Sequence, residues 1–214
     1  MIPQSTFWDR TAARYARSPI RNMGAYEQTM ARTRSYLNAD DRVFEMGAGT
    51  SSTALLLAPL VRHYTSSDIS AEMVAIGRDK ARDAGIGNLD VVQAEVGGHR
   101  AETDPYDLVL AYNLLHLLPD PGAAARQAHA MLRPGGLFIS KTTCLAGQLY
   151  LRPLIAAMQF FGKAPYVNFL GADTLEATVK DAGFDIIEAD NHPAGKRNRF
   201  LVARKTQADR RIGL

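Results

Sequence analysis

Glu45-Met-Gly-Ala-Gly-Thr50 follows the apolar pair Val43-Phe44 and precedes the apolar-rich run from Thr53 to Leu60, so it reads as a strand that ends in glycines and becomes a helix. Such a junction brings main chain up against a ligand. Gly47 and Gly49 accept positive φ and present no Cβ, which lets the chain turn tightly with its amides toward a bound molecule. The helix behind it adds free N–H groups and the positive end of its dipole, both favourable to anionic groups.

His63-Tyr-Thr-Ser-Ser-Asp68 reads as a second strand ending in an acid. Asp68 falls where a doubly wound sheet presents a carboxylate to ribose hydroxyls, roughly 20 residues past the glycine turn. A carboxylate accepts from two vicinal hydroxyls at once, and its charge strengthens both bonds. The competing role for Asp68 is to cap a helix from Ala71 to Ala84, a task Ser70 could perform equally well. The two roles are compatible.

With these motifs the chain resembles the class I S-adenosylmethionine-dependent methyltransferases, particularly the small-molecule branch of ubiquinone and menaquinone biosynthesis methyltransferases. The resemblance is good over about residues 5 to 141 and looser beyond. Glu45, Gly47 and Gly49 match the family's first motif, and Ser51 stands in place of its third glycine, where a hydroxyl could cap the next helix. The resemblance implies that Asp68 holds ribose and that Val92-Gln-Ala-Glu-Val96 contacts adenine, with Glu95 accepting from the amino group. Asp107-Leu-Val-Leu-Ala-Tyr-Asn113 and Leu114-Leu-His-Leu-Leu118 look like the fourth strand and its continuation, and Leu132-Arg-Pro-Gly-Gly-Leu-Phe-Ile-Ser140 like the turn into strand five. It further implies S-adenosyl-L-methionine as cofactor and an α/β, Rossmann-like sheet of seven mainly parallel strands flanked by helices, with an N-terminal helical lid and an insertion after strand five.

Ligands of open α/β sheets bind outside the carboxyl ends of the strands. The expected cofactor contacts there are Glu45, Gly47, Ala48, Gly49 and Thr50, then Asp68, Ile69 and Met73, then Glu95, Val96 and Asn113. Phe7, Trp8, Ala12, Tyr15 and Ala16 recur at helical spacing, and this segment resembles the family's first helix, which lies over the donor site. Tyr15 is then the residue near the methionine part, although Ala16 replaces the expected aspartate after it. A second helix, about Met23 to Leu37, offers Tyr26 as an acceptor contact.

Methyl transfer from a sulfonium is an in-line displacement, so the protein contributes alignment and exclusion of water. A general base is required only when the acceptor loses a proton early. His116 is the candidate, because it follows strand four and histidine titrates near neutrality; the four leucines around it equally fit a packed, hydrogen-bonded side chain. Lys141 is read as either an acceptor-binding charge or a solvated strand end. The stretch Ala146 to Gly162 is rich in large apolar residues, among them Leu149, Leu154, Met158 and Phe161. It is expected to wall an apolar acceptor, Met158 included, or to complete the core or a dimer contact.

Strands are expected at 42–46, 63–68, 89–93, 106–112, 136–141, 184–190 and 198–205. The last two should form an antiparallel hairpin joined through His192-Pro-Ala-Gly-Lys-Arg-Asn198. Asp120-Pro121 starts a helix, and Asp173-Thr-Leu-Glu176 suggests a reciprocal cap on another that Gly183 ends. At 214 residues with 46% hydrophobic and 22% charged, the chain suits a single domain, 1–214, with a lid over 1–40 and an acceptor-site insertion over 146–171. Cys144 is the sole cysteine, which excludes an internal disulfide and a cysteine metal cluster; no metal is expected. Met1-Ile-Pro-Gln-Ser-Thr lacks an export pattern, so a cytoplasmic location is the expectation.

The formal net charge of +3, gathered toward the termini, reads first as solvated surface and secondly as a means of steering toward acidic substrates or an anionic membrane surface. Nucleic acid is disfavoured: no binding motif accompanies the charge, and Ala111-Tyr-Asn-Leu114 lacks the paired prolines of amino-methylating nucleic-acid enzymes. The expected partner is a small acceptor, aromatic, quinone or lipid-like, with a phospholipid head-group amine as a variant and a homodimer open. A nicotinamide-dependent oxidoreductase and a non-catalytic nucleoside-binding module are the readings from other classes.

Overall fold

The computed structural model describes residues 3–98, 104–192, 194 and 197–206. Helices α1 (Gln4–Arg17) and α2 (Met23–Arg34) precede strand β1 (Arg42–Met46), then α3 (Ser52–Leu57), β2 (His63–Asp68), α4 (Ala71–Asp83), β3 (Leu89–Gln93) and β4 (Tyr106–Tyr112). The second half runs α5 (Pro121–Met131), β5 (Leu132–Thr143), α6 (Arg152–Phe160), α7 (Ala172–Asp181), β6 (Phe184–Asn191) and β7 (Asn198–Lys205). The seven strands lie in the order β3-β2-β1-β4-β5-β7-β6, with β7 antiparallel to both neighbours. Chain order reverses between β1 and β4, the position where sheets of this kind open a crevice for ligand.

Alternation along the strands divides the core. Phe44, Met46, Val109, Ala111 and Phe138 face Ala124 and Ala128 of α5 and Leu175 and Val179 of α7. Val43, Leu108, Leu110 and Ile139 face Met30 of α2, Ala54 and Leu57 of α3, and Val74 and Ala81 of α4. A strand buried on both faces must be apolar at nearly every position, as Leu108-Val-Leu-Ala111 is.

Several boundaries and caps differ from expectation. The run expected to be helical to Leu60 is α-helical only to Leu57 and finishes as a 3-10 turn over Ala58–Leu60, where Pro59 has no N–H to extend the ladder. Likewise α2 stops at Arg34, short of Leu37. Strand five begins at Leu132, since Leu132 already pairs with Tyr106 before a register shift carries Leu137 opposite Leu108. Asp173 and Glu176 make no reciprocal cap: Gly171 is the N-cap of α7, and Glu176 accepts from Arg199 Nε and Nη2 at 2.9 and 2.6 Å. The Asp120 cap does form, with Ala123 N–H donating to Oδ1 at 2.9 Å. The loop after His192, Lys196 included, falls partly outside the described residues.

Candidate active site

The crevice at the β1/β4 reversal is a cavity of about 610 Å³, within the usual size of small-molecule sites. Its floor is the glycine turn. Gly47 and Gly49 take φ of 61° and 56°, and a Cβ on Gly47 would stand 2.7 Å from Leu114 Cδ1. The turn does not hold a row of free amides. Ala48 N–H donates to Ser67 O at 2.8 Å and Ser51 N–H to Ala48 O at 3.0 Å, while Gly49 N–H donates to Asp68 Oδ2 at 2.8 Å. The close approach therefore comes from missing Cβ atoms.

Ser51 corrects a second expectation. It caps nothing with its side chain; it adopts φ 57°, the left-handed conformation a glycine there would take at lower cost. Its buried Oγ pairs with Ser66 Oγ at 2.9 Å, and helix α4 makes room for it with Gly77, whose Cβ would lie 2.6 Å from that oxygen.

Asp68, at the end of β2, accepts from Gly49 N–H and, through Oδ1, from Ser70 N–H at 3.0 Å. Burial pushes its pKa up, and bonds from Ser70, Gly49 and Ile69 pull against that shift. A carboxylate has about four acceptor sites, so capacity remains for hydroxyls in the cavity. Capping of α4 falls to Ser70, whose Oγ accepts from Met73 N–H at 3.1 Å.

Asp68, Ile69, Met73, Glu95, Val96, Asn113, His116, Tyr15, Gly47 and Gly49 all line this one cavity. Glu45, Ala48, Thr50, Tyr26, Lys141 and Met158 do not. Glu45 lies buried on the Val43 side of β1, accepting from Tyr64 O–H at 2.8 Å, and burial raises its pKa to about 7. Thr50 Oγ1 accepts from Lys80 Nζ at 2.9 Å. Lys141 Nζ donates to Thr29 Oγ1 at 2.7 Å and Ala25 O at 3.3 Å, so its ammonium fastens α2 to β5. Met158 projects from α6, a helix with no buried residue.

His116 sits in a 3-10 turn over Leu115–Leu117. Burial drives its pKa down to about 4, and its Nδ1 is buried without a hydrogen-bond partner. The imidazole is neutral near pH 7. Lining residues that sequence reasoning did not select include Gln4, Asp120 and Gln127. Gln127 Oε1 accepts from Gly97 N–H at 2.6 Å, which holds the loop carrying Glu95 and Val96; no sequence signal marks it. Asn113 has φ 54°, and asparagine's tolerance of that region was the available clue.

The Cβ-free turn, the carboxylate with acceptor sites to spare and the apolar wall of Ile69, Met73 and Val96 fit an adenosyl group and its charged tail. A reversed parallel sheet with a glycine floor and an acid at the second strand end defines a nucleoside-binding α/β protein. Residues 13–189 match the family described as "Methyltransferase domain", and the chain belongs to that family. S-adenosyl-L-methionine is the cofactor that membership carries. The chain is 33% identical over 99 residues to the ubiquinone/menaquinone biosynthesis C-methyltransferase of Vibrio vulnificus (strain YJ016), covering 44% of this chain and 38% of that one. It is 27% identical over 125 residues to the ubiquinone biosynthesis O-methyltransferase of Aeromonas salmonicida (strain A449), 58% and 52% of the two chains. These matches span about half or less of the relatives' length. Among solved structures it resembles the CcbJ methyltransferase from Streptomyces caelestis, with TM-score 0.75, 21% identity and coverage of 96% and 100%. That likeness confirms the seven-stranded, Rossmann-like fold.

Proposed function

We propose that the protein transfers a methyl group from S-adenosyl-L-methionine to a small acceptor with substantial apolar surface. The observation that supports this best is the convergence of Gly47, Gly49, Asp68, Glu95 and His116 on one cavity at the sheet reversal. The donor, when bound, supplies an activated methyl on a sulfonium that an acceptor nucleophile displaces in line. The chain's own residues position and shield. Asp68 accepts hydroxyl hydrogen bonds while tied to the glycine turn, Glu95 offers a second carboxylate just past the adjoining strand β3, and Gly47 keeps the floor low beneath Leu114. Trp8 and Tyr15 of α1 border the cavity and limit water, which strengthens each polar contact inside.

His116 lines the cavity and is held neutral by burial, so it can offer an acceptor hydroxyl or amine a hydrogen bond while binding a proton only weakly. Leu114, Leu117, Leu118 and Pro119 surround it in the wall, favouring an aromatic, quinone or lipid-like acceptor. Incubating the purified protein with methyl-labelled donor and fractionated metabolites, then identifying the labelled product, tests the reading. Donor binding by calorimetry with no labelled product in any fraction would instead favour a non-catalytic module; no heat with S-adenosylhomocysteine would end the proposal.

A further inference from the structure

Helix α6 and the turns flanking it form an apolar face that none of the described residues covers. No residue of α6 is buried, whereas α1 to α5 and α7 each bury side chains against the body. Leu149, Tyr150, Leu154 and Met158 are exposed on this segment, and Phe160 and Phe161 are 85% and 70% exposed in an edge-to-face pair 5.3 Å apart. Contiguous large apolar side chains in water mark an interaction surface.

Charge selects the occupant. From Pro121 to Ala172 the sequence contains no Asp or Glu. Arg152 opens α6 and Lys163 follows it, so the apolar face is bracketed by cations. Arg152 lies over the Phe169 ring, its guanidinium carbon 5.1 Å from the centroid. A short, acid-free amphipathic helix with aromatic residues and flanking cations suits the boundary layer of an anionic bilayer. No described helix is long and apolar enough to cross a membrane, so the contact would be peripheral.

The segment is joined to the cavity. Beyond Lys163 the chain returns to the rim, where Asn168 N–H donates to His116 O at 2.7 Å and Asn168 Nδ2 to Leu118 O at 3.3 Å. Both acceptors belong to residues that line the cavity.

We propose that residues 149–163 dock the protein on an anionic lipid bilayer, placing the cavity rim at the surface from which an apolar acceptor is drawn. The supply of an acceptor rests on the methyl-transfer reading, whereas the docking itself requires no donor and is tested apart from it.

Flotation of the full chain with vesicles of phosphatidylcholine, with and without phosphatidylglycerol, tests it. The protein should rise with the phosphatidylglycerol vesicles, bind about tenfold less to phosphatidylcholine alone, and release as salt is raised. Phe160→Ser with Phe161→Ser should abolish flotation while the melting temperature and circular dichroism stay those of the wild type, since both rings are solvent-exposed. Lys163→Glu should weaken binding about fivefold or more. Failure of the wild type to float, equal binding to both vesicles, or undiminished binding by the double serine variant would overturn the proposal. So would sedimentation showing a wild-type dimer that the double variant dissociates, which would assign the face to a second copy of the chain.

Discussion

Asp68 Oδ2 accepts the Gly49 N–H at 2.8 Å, so the acid at the end of β2 and the glycine turn after β1 form one unit. Asp68→Ala removes both a ligand acceptor and the tether on the turn. Affinity for S-adenosylhomocysteine should fall by about 1–3 kcal/mol. Asp68→Asn, which retains an oxygen for Gly49, should lose less. Calorimetric titration of both variants checks this, and wild-type affinity in Asp68→Ala would remove the residue from the site.

Ser51 and Gly77 should be energetically coupled. A methyl group on Gly77 would lie 2.6 Å from Ser51 Oγ and 3.2 Å from its Cβ, and Ser51 is completely buried with its oxygen bonded to Ser66. Gly77→Ala should cost about 1–3 kcal/mol in urea denaturation. In a Ser51→Gly background the closest contact is removed while Val91 Cγ1 still stands 3.2 Å from the added methyl, so the same change should cost clearly less. Additive effects of the two substitutions would show that they do not interact.

These two relationships also show what was legible in the chain and what was not. The glycine turn, Asp68, the approximate strand positions and the β6/β7 pairing are carried by local residue types and by motif order, both properties of sequence. Ser51 illustrates the limit: its hydroxyl suggested a cap, but its conformation follows from the turn around it, and its tolerance depends on Gly77 in another helix. Lys141 illustrates it again, since a lysine at a strand end carries no sign that Thr29 and Ala25 lie within reach. Glu45 sits in the motif, yet the period of two along β1 turns its carboxylate away from the cavity that Phe44 and Met46 line. Gln127 lines the cavity and holds Gly97 N–H, a tertiary contact without a local signature.

Glu45 should make the protein less stable on the alkaline side. Burial raises its pKa from the ordinary 4.5 to about 7, despite the Tyr64 hydroxyl that pulls it down. The folded state thus takes up the proton first as pH falls. Its stabilising contribution is complete below about 4.5 and is lost as pH rises through 7, an effect on the order of 3 kcal/mol. Glu45→Gln should remove this slope and exceed the wild type in stability above pH 7. Urea denaturation across that interval decides it: parallel pH profiles for the two proteins would show that Glu45 is ionised throughout.

His116 works in the opposite direction. Its folded pKa of about 4 lies below its ordinary 6.5, so the unfolded chain is protonated first on acidification. Stability is whole above about 6.5 and declines as pH falls through 4, again on the order of 3 kcal/mol. His116→Gln should flatten the acid arm. Nor should the rate of methyl transfer show an inflection near 6.5 from this imidazole; a single ionisation there, absent in His116→Gln, would contradict the neutral state.

Lys141→Met separates fastening from acceptor binding. The Nζ bonds to Thr29 Oγ1 and Ala25 O tie α2 to β5, and burial already lowers this ammonium's pKa. Methionine keeps the apolar stem but leaves the Thr29 hydroxyl, which itself donates to Ala25 O at 2.7 Å, without its cation. Stability should fall by about 1–3 kcal/mol, and amide exchange should quicken in α2 before the sheet. If Lys141 instead bound the acceptor, the variant would keep its melting temperature and raise KM alone. Tyr112 offers an internal control, because its hydroxyl bonds Thr33 at 2.6 Å one turn further along the same helix. Tyr112→Phe should loosen α2 in the same way, and the two substitutions combined should release the helix more than either alone.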